Sequence, residues 1–295
     1  DGHAEHMAVA AAADCQPVEL FAAYNLTDMR DVALFGAHAL AVADPPADAE
    51  GCTALQLPPS HARQGAFIQA QTWDLNPGDI DYVVAVHRLP AAGPESWTVS
   101  LVGAPCLMVM NEHGLSLGTT NIKTRDARPG VGYMNVLHAA ARCRHRAAAV
   151  DLIAAAPRAA AHTFWVADAS GACELECSAE RCRRRECATA PLVQTNHCLD
   201  PEIAALAAEE PSASSQARLA RAQAILAQGE HDLDSLQVLF SDRSDGVDSI
   251  NRLHEDRTDT ATNACAVMQP AARRFDACRG PSDRGRWQLL AFENG

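Results

Sequence analysis

The sequence predicts an α+β fold in which two packed sheets are covered on the outside by helices, and three observations carry that expectation. Residues 53–121 contain six short strand-like runs, at 53–58, 65–74, 81–89, 97–104, 106–111 and 115–121, several of them rich in Val, Leu and Thr. Two stretches, 132–156 and 214–241, repeat apolar residues at helical spacing instead. Strand-like runs return between and after these helices, at 161–169, 173–178, 181–187, 192–197, 263–269, 274–280 and 286–292. Blocks of strands separated by blocks of helices suit sheets that bury one face on each other and the other under helices.

Each element has a local reason. Leu20, Phe21, Tyr24, Leu26, Met29, Val32, Leu34 and Phe35 space a helix over 18–41, ending near Pro45-Pro46. Turns at Pro58-Pro59, Asn76-Pro77-Gly78, Gly93-Pro94 and His113-Gly114 cut the following strands into antiparallel hairpins. Met134, Leu137, Val150 and Leu152 give 132–156 its inward face, with a break expected near Arg144-His145. Leu219, Ile225, Leu226, Leu236, Val238 and Leu239 do the same for helices at 214–228 and 232–241.

Composition narrows the function. At 295 residues the chain can bury a substantial core, and no Gly-, Ser- or Pro-rich linker divides it, so one domain over 1–295 is expected. A formal net charge of −13 argues against nucleic acid and anionic membranes, which call for a basic face. The segment from Asp1 to Ala13 is alanine-rich but carries Asp1 and Glu5 and lacks the basic start and apolar core of a signal peptide. No run approaches the length of a membrane span. Eleven cysteines form an odd set in a chain much longer than disulfide-dependent domains, which favours a reducing, cytoplasmic setting. Cys173, Cys177, Cys182 and Cys187 raise the alternative of a zinc or binding module. Cys173, Leu175 and Cys177 alternate with Glu174 and Glu176 at strand period, and the spacings miss paired C-x-x-C knuckles, so core packing is the better reading.

The most informative pair is Gly51-Cys52. A small residue before a cysteine, then a strand, a turn and a second strand ending in Asp74, is the layout for exposing a new N-terminal cysteine by self-cleavage. Such a cysteine carries a thiol to attack a carbonyl and an α-amine, of reference pKa about 8, to accept its proton. Gly51 suits the cut because a residue without Cβ tolerates strained angles and leaves its carbonyl open. A papain-like pairing of a cysteine with His197 or His138 is a weaker alternative, because neither histidine lies in a context typical of those enzymes.

GCTALQLP at 51–58, GAFIQAQTWD at 65–74, MNEHGLSLGTTN at 110–121, QTNHCLDP at 194–201, SSQARLARAQAIL at 214–226 and RRFDACRGPSDRGRWQLLAF at 273–292 stand in an order that resembles the acyl-coenzyme A:6-aminopenicillanic acid acyltransferase family of N-terminal-nucleophile enzymes. The resemblance implies a four-layer αββα sandwich and cleavage between Gly51 and Cys52, giving a small fragment 1–51 and a large fragment 52–295 that stay associated. It implies Cys52 as nucleophile, Asp74 to orient it, Asn196 as oxyanion donor and Asn121 as a second donor. It also implies an arginine near the nucleophile, for which Arg257 is chosen over Arg218. Gln71 stands where some relatives have arginine, and Gln71, Trp73 and His197 are taken as substrate-binding.

The expected activity is that of an N-terminal cysteine amidohydrolase or acyltransferase on a linear amide C–N bond, through a Cys52 thioester. Small-molecule amides or thioesters are the expected partners, with no metal or organic cofactor. Coenzyme A-dependent N-acyl transfer on the same site is the runner-up, and homo-oligomerisation stays open.

Overall fold

The computed structural model describes residues 2–36 and 51–293. Three helices come first, α1 (Gly2–Ala12), α2 (Pro17–Tyr24) and α3 (Leu26–Phe35). Six strands follow: β1 (Gly51–Leu57), β2 (Ile68–Leu75), β3 (Val83–Arg88), β4 (Ser96–Leu101), β5 (Met108–Asn111) and β6 (Ser116–Asn121). Helices α4 (Tyr133–Ala140) and α5 (Arg146–Ala155) lead to β7 (His162–Asp168), β8 (Gly171–Cys177), β9 (Cys182–Glu186) and β10 (Leu192–Gln194). After α6 (Pro201–Ala204), α7 (Ala213–Leu226) and α8 (Leu233–Leu239), the chain closes with β11 (Ala261–Gln269), β12 (Arg274–Arg279) and β13 (Trp287–Leu289).

The strands form two antiparallel sheets. One has six strands in the order β10-β1-β2-β11-β12-β13, the other seven in sequence order from β3 to β9. On the outer side of the first, Leu55, Leu57, Ile68, Ala70 and Val267 pack with Ala222, Leu226, Leu236 and Phe240 of the α7–α8 region. On the outer side of the second, Phe164, Val166, Cys173, Leu175 and Cys177 pack with Leu137, Ala149 and Ile153 of α4 and α5. The α+β sandwich with helices outside is therefore what the sequence predicts. Cys173 and Cys177 occupy alternate positions of one buried strand, in accordance with the core-packing reading.

Local chemistry explains the boundaries. His145 caps α5, its ring nitrogen accepting the Ala148 N–H at 3.3 Å, which makes the break between α4 and α5. Ser212 caps α7, and Asp232 with Ser235 forms a capping box on α8. The helix expected over 18–41 is instead two helices, because Asn25 leaves helical geometry (φ −107°, ψ 17°) and its side chain donates to the Phe21 carbonyl at 2.9 Å. Residues 37–41 of that expectation lie outside the described residues. The short α6 and the alanine-rich α1 had no counterpart in the pattern reading. Among the described residues no helix is long and apolar enough to cross a membrane.

The N-terminal helices are tied to the body by buried polar contacts. Asp28 of α3 accepts the first N–H of α4, from Tyr133, at 2.7 Å, and its other oxygen meets His162 Nε2 at 2.9 Å. Tyr133 stacks on the His162 ring at 4.1 Å. Gly132, beside this contact, has no room for a Cβ, which would fall 1.7 Å from Asn25 Oδ1.

Candidate active site

Antiparallel pairing of β1 with β2 places Gly51 opposite Asp74 and Cys52 opposite Trp73. Because successive residues alternate across a sheet, the two pairs face opposite ways. Cys52 and Trp73 share the face turned toward the seven-stranded sheet. There they line a cleft of about 480 Å³ together with Thr119, Asn121, Tyr133, Met134 and His162, and with Tyr24, Leu26 and Arg30 from α2 and α3. Gly51 and Asp74 face the helix side. A Cβ added to Gly51 would stand 3.0 Å from Arg252 Nη1 and 3.2 Å from Asp74 Oδ2.

The main chain of Cys52 is held by residues remote in sequence. Its N–H donates to Asn196 Oδ1 at 2.9 Å, and its carbonyl accepts from Arg218 Nη1. Arg218 also donates to Thr53 Oγ1 at 3.2 Å and to Asn196 Oδ1 at 2.8 Å, so one guanidinium orients both the nucleophile candidate and the amide beside it. Asn196 Nδ2 donates to the Asn121 main-chain carbonyl at 3.1 Å. Strand β10 stops at Gln194, so Thr195, Asn196 and His197 leave the sheet at the point where Asn196 reaches Cys52. Ser215, in the first turn of α7, steadies this exit: its hydroxyl accepts the Asn196 N–H at 2.9 Å and meets His197 Nδ1 at 2.7 Å.

Electrostatically the helix side of this site is a buried charge cluster. Asp74 is fully buried, with the Thr72 and Thr262 hydroxyls and the Arg218 and Arg252 guanidinium groups around it. Burial drives its pKa up, while the nearby guanidinium groups of Arg218 and Arg252 and the hydroxyls of Thr262 and Thr72 pull it down by less. Burial likewise lowers Arg218 to about 10, with Asp74 opposing, which leaves the guanidinium charged at neutral pH. His197 is also lowered, by burial first and then by the Arg218 charge. A buried carboxylate next to the Gly51-Cys52 peptide is suited to receive an ammonium there.

Of the residues singled out from sequence, Cys52, Asp74, Asn196, Gly51 and Trp73 come together. Asn121 joins them through its main-chain carbonyl and is one of the residues that line the cleft. His197 stands behind Asn196. Arg257 does not reach the site: it is exposed, in left-handed geometry (φ 55°), at the end of a single helical turn. The arginines beside the site are Arg218 and Arg252. Arg252 was missed because nothing local marks it; it arrives through a long-range pairing, its N–H donating to Thr262 Oγ1 at 3.0 Å. Thr262 in turn lies opposite Asp74 in the sheet. Gln71 is not turned to a substrate either. Its amide is spent between the sheets, donating to Thr119 O at 2.5 Å and accepting the Thr119 N–H at 3.0 Å.

Comparison with solved structures finds the same fold in other chains. The chain superposes on a Caenorhabditis elegans N-acylethanolamine-hydrolyzing acid amidase ortholog with a TM-score of 0.52 and 12% identity, covering 81% of this chain and 100% of that one. For penicillin V acylase from Agrobacterium tumefaciens the values are 0.52 and 13%, over 81% and 86% of the two chains. A variant of the conjugated bile acid hydrolase from Clostridium perfringens gives 0.51 and 10%, over 82% and 97%. No curated protein matches in sequence. The sequence model described as acyl-coenzyme A:6-aminopenicillanic acid acyl-transferase matches residues 61–284, and the chain belongs to that family.

Proposed function

We propose that this protein is an N-terminal-nucleophile amidohydrolase that activates itself by cutting between Gly51 and Cys52. The observation that carries the reading is the grip on Cys52: its N–H is held by Asn196 and its carbonyl by Arg218, with the buried Asp74 carboxylate next to Gly51. In the intact chain the Cys52 thiol adds to the Gly51 carbonyl carbon. The C–N bond breaks, the nitrogen takes up the proton, and the acyl group is left on sulfur as a thioester. Water opens the thioester, releasing the carboxylate of Gly51 and restoring the thiol.

The new α-ammonium forms beside Asp74, which holds it by a charge-assisted hydrogen bond. For a substrate amide the α-amine, in its neutral form, takes the proton of the Cys52 thiol. The thiolate adds to the carbonyl carbon, the developing oxyanion is stabilised by the amide N–H of Asn196, and the proton passes to the departing amine. Hydrolysis of the Cys52 thioester completes the cycle. The names of the similar structures, an acid amidase, an acylase and a conjugated bile acid hydrolase, agree with hydrolysis of an amide as the overall reaction. Trp73, Leu101, Leu107, Met134, Tyr24 and Leu26 give the cleft an apolar lining that fits an apolar acyl group. Two of these residues lie before the cut, so the small fragment completes the wall and stays bound through Asp28.

The test is intact mass with time. The full chain should convert to a species beginning at Cys52, and Cys52→Ala should remain full-length and turn over no amide. Cleavage at this bond in Cys52→Ala would remove the nucleophile from the mechanism. A wild-type chain that stays whole while hydrolysing amides would remove the maturation step.

A further inference from the structure

The turn between β8 and β9 brings together two thiols that take no part in the chemistry above. Cys177 and Cys182 lie directly opposite each other across the two strands, with their sulfurs 3.0 Å apart. The Ser178 N–H donates to the Arg181 carbonyl at 2.9 Å, so residues 178 and 181 are the hydrogen-bonded pair that closes the hairpin. The next pair outward is then of the non-hydrogen-bonded kind, whose Cα atoms approach to about 4.5 Å. That lies within the roughly 4.4–6.8 Å that a disulfide spans.

The turn is also held in place. Arg158 donates to the carbonyls of Ser178 (3.0 Å) and Arg181 (3.2 Å), and the Ser178 hydroxyl donates to Asp126 at 2.6 Å while accepting the Arg181 N–H at 3.0 Å. The two sulfurs differ in access. Cys177 is sealed in the core beneath α4 and α5, whereas Cys182 is half-buried on β9, the edge strand of its sheet. Contact with the Cys177 thiol, aided by the Arg158 charge, lowers the pKa of Cys182, and burial raises that of Cys177. The reachable sulfur is thus the better nucleophile and the hidden one its partner.

A second cross-strand pair gives an internal contrast. Cys265 and Cys278 also lie opposite each other, on β11 and β12. Both are buried, and their thiols turn to the same carbonyl, that of Gly280, at 3.7 and 3.9 Å.

We infer that Cys177 and Cys182 are a redox-modification site, closing to an intrachain disulfide at the expense of a low-molecular-weight disulfide of the glutathione type. The Cys182 thiolate attacks one sulfur of glutathione disulfide, breaking its S–S bond and releasing one glutathione thiolate. The Cys177 thiol then gives up its proton and attacks the Cys182 sulfur, expelling the second glutathione. Two protein thiols are oxidised and one glutathione disulfide is reduced to two thiols, so the exchange balances.

The test uses the full chain carrying Cys52→Ala, so that the proposed nucleophile does not compete. After incubation with oxidised glutathione, denaturation and alkylation, trypsin cuts after Arg158, Arg181 and Arg183. The expected product joins peptide 159–181 to peptide 182–183, falls apart on reduction, and comes from a chain lighter by two hydrogens. Cys265 and Cys278 should be recovered fully alkylated. Adding Cys177→Ser should leave one glutathione on Cys182, while Cys173→Ser should leave the linkage intact. Unlinked peptides after oxidation, a glutathione adduct that persists on Cys182 with Cys177 present, or a linkage that survives Cys177→Ser would each overturn the inference.

Discussion

The two faces of the β1–β2 hairpin bury equally well and are built from opposite materials. The helix face carries Leu55, Leu57, Ile68 and Ala70 against α7 and α8, and becomes polar at one end, where Gly51, Thr53, Thr72 and Asp74 meet Arg218 and Arg252. The face between the sheets is laced with amides. Gln56 donates to Gln69 Oε1 at 2.9 Å and to Cys173 O at 3.2 Å, and Gln71 bridges to β6. Cys52 is on this second face, while the charges that flank its peptide are on the first. A single residue step in a strand thereby turns the sulfur toward one face of the sheet and sets on the other the charged groups that grip the backbone behind it. This division yields a set of graded tests.

The largest effect is expected on the helix face. Replacing Arg218 with Met leaves the Asp74 carboxylate buried with only Arg252 to compensate it, and a broken buried pair of this kind costs about 3–5 kcal/mol. The same change frees the Cys52 carbonyl and one side of Asn196, so maturation should fail as well. Urea denaturation of Arg218→Met, Asp74→Asn and the double variant checks the coupling. The double variant should be more stable than the sum of the two losses predicts, and strict additivity would mean that the two groups do not support each other.

On the other side of the boundary the loss should appear in rate. Asn196→Ala removes the acceptor of the Cys52 N–H and, with it, the proposed oxyanion donor, and loss of one oxyanion donor costs about 10²–10³ in rate. Cleavage followed by mass should slow by that factor, beyond the loss of about 1–3 kcal/mol in stability that follows from leaving the Cys52 and Arg218 N–H groups without Asn196 Oδ1. Equal slowing in Gln71→Leu would erase the distinction. Gln71→Leu is expected to strand the Thr119 N–H and C=O between the sheets, at about 1–3 kcal/mol in stability, with KM for any amide substrate unchanged. A raised KM at constant stability would return Gln71 to a substrate-binding role.

Gln71 also shows where the sequence stops being legible. Its period of two with Gln69 and Trp73 assigns it a face, and the thirteen strands among the described residues fall on runs that alternate or are bounded by Pro and Gly turns. Period alone does not say what covers a face, and here the cover is the backbone of another strand instead of a ligand. The Gly51-Cys52 pair was readable from the sequence itself, while Asp74 and Asn196 were marked by the resemblance of their segments to a family. Arg252 was not, since its place depends on register: Thr262 pairs with Asp74, and the Thr262 hydroxyl then holds the Arg252 N–H. Arg257, five residues later, has the same local polarity but a left-handed backbone that turns it to solvent. Helix α3 was legible as periodicity, whereas its function in the fold rests on Asp28, a buried acid that a surface-helix reading would expose.

The last effect concerns the loop that presents Asn196. Glu176 of β8 accepts the N–H of Leu199 at 2.9 Å and of Asp200 at 3.0 Å, pinning the chain just after the site. Burial first, and then the neighbouring Glu174 carboxylate, raises its pKa from 4.5 to about 7, while those two N–H groups and Arg185 pull the other way by less. The folded chain therefore holds a proton on Glu176 more tightly than the unfolded chain does. That stabilisation is full below the unfolded value of 4.5 and fades as pH rises through about 7, with a slope of at most about 1.4 kcal/mol per pH unit. Urea midpoints measured between about pH 5 and pH 8 should fall with pH in the parent. Glu176→Gln, which keeps an acceptor for both N–H groups but cannot ionise, should fall less steeply. Asp74 and Glu174, also raised by burial, contribute in the same direction and keep the variant's slope from vanishing. Parallel slopes in parent and variant would place a charged Glu176 in the folded state, held by the Leu199 and Asp200 amides against its burial.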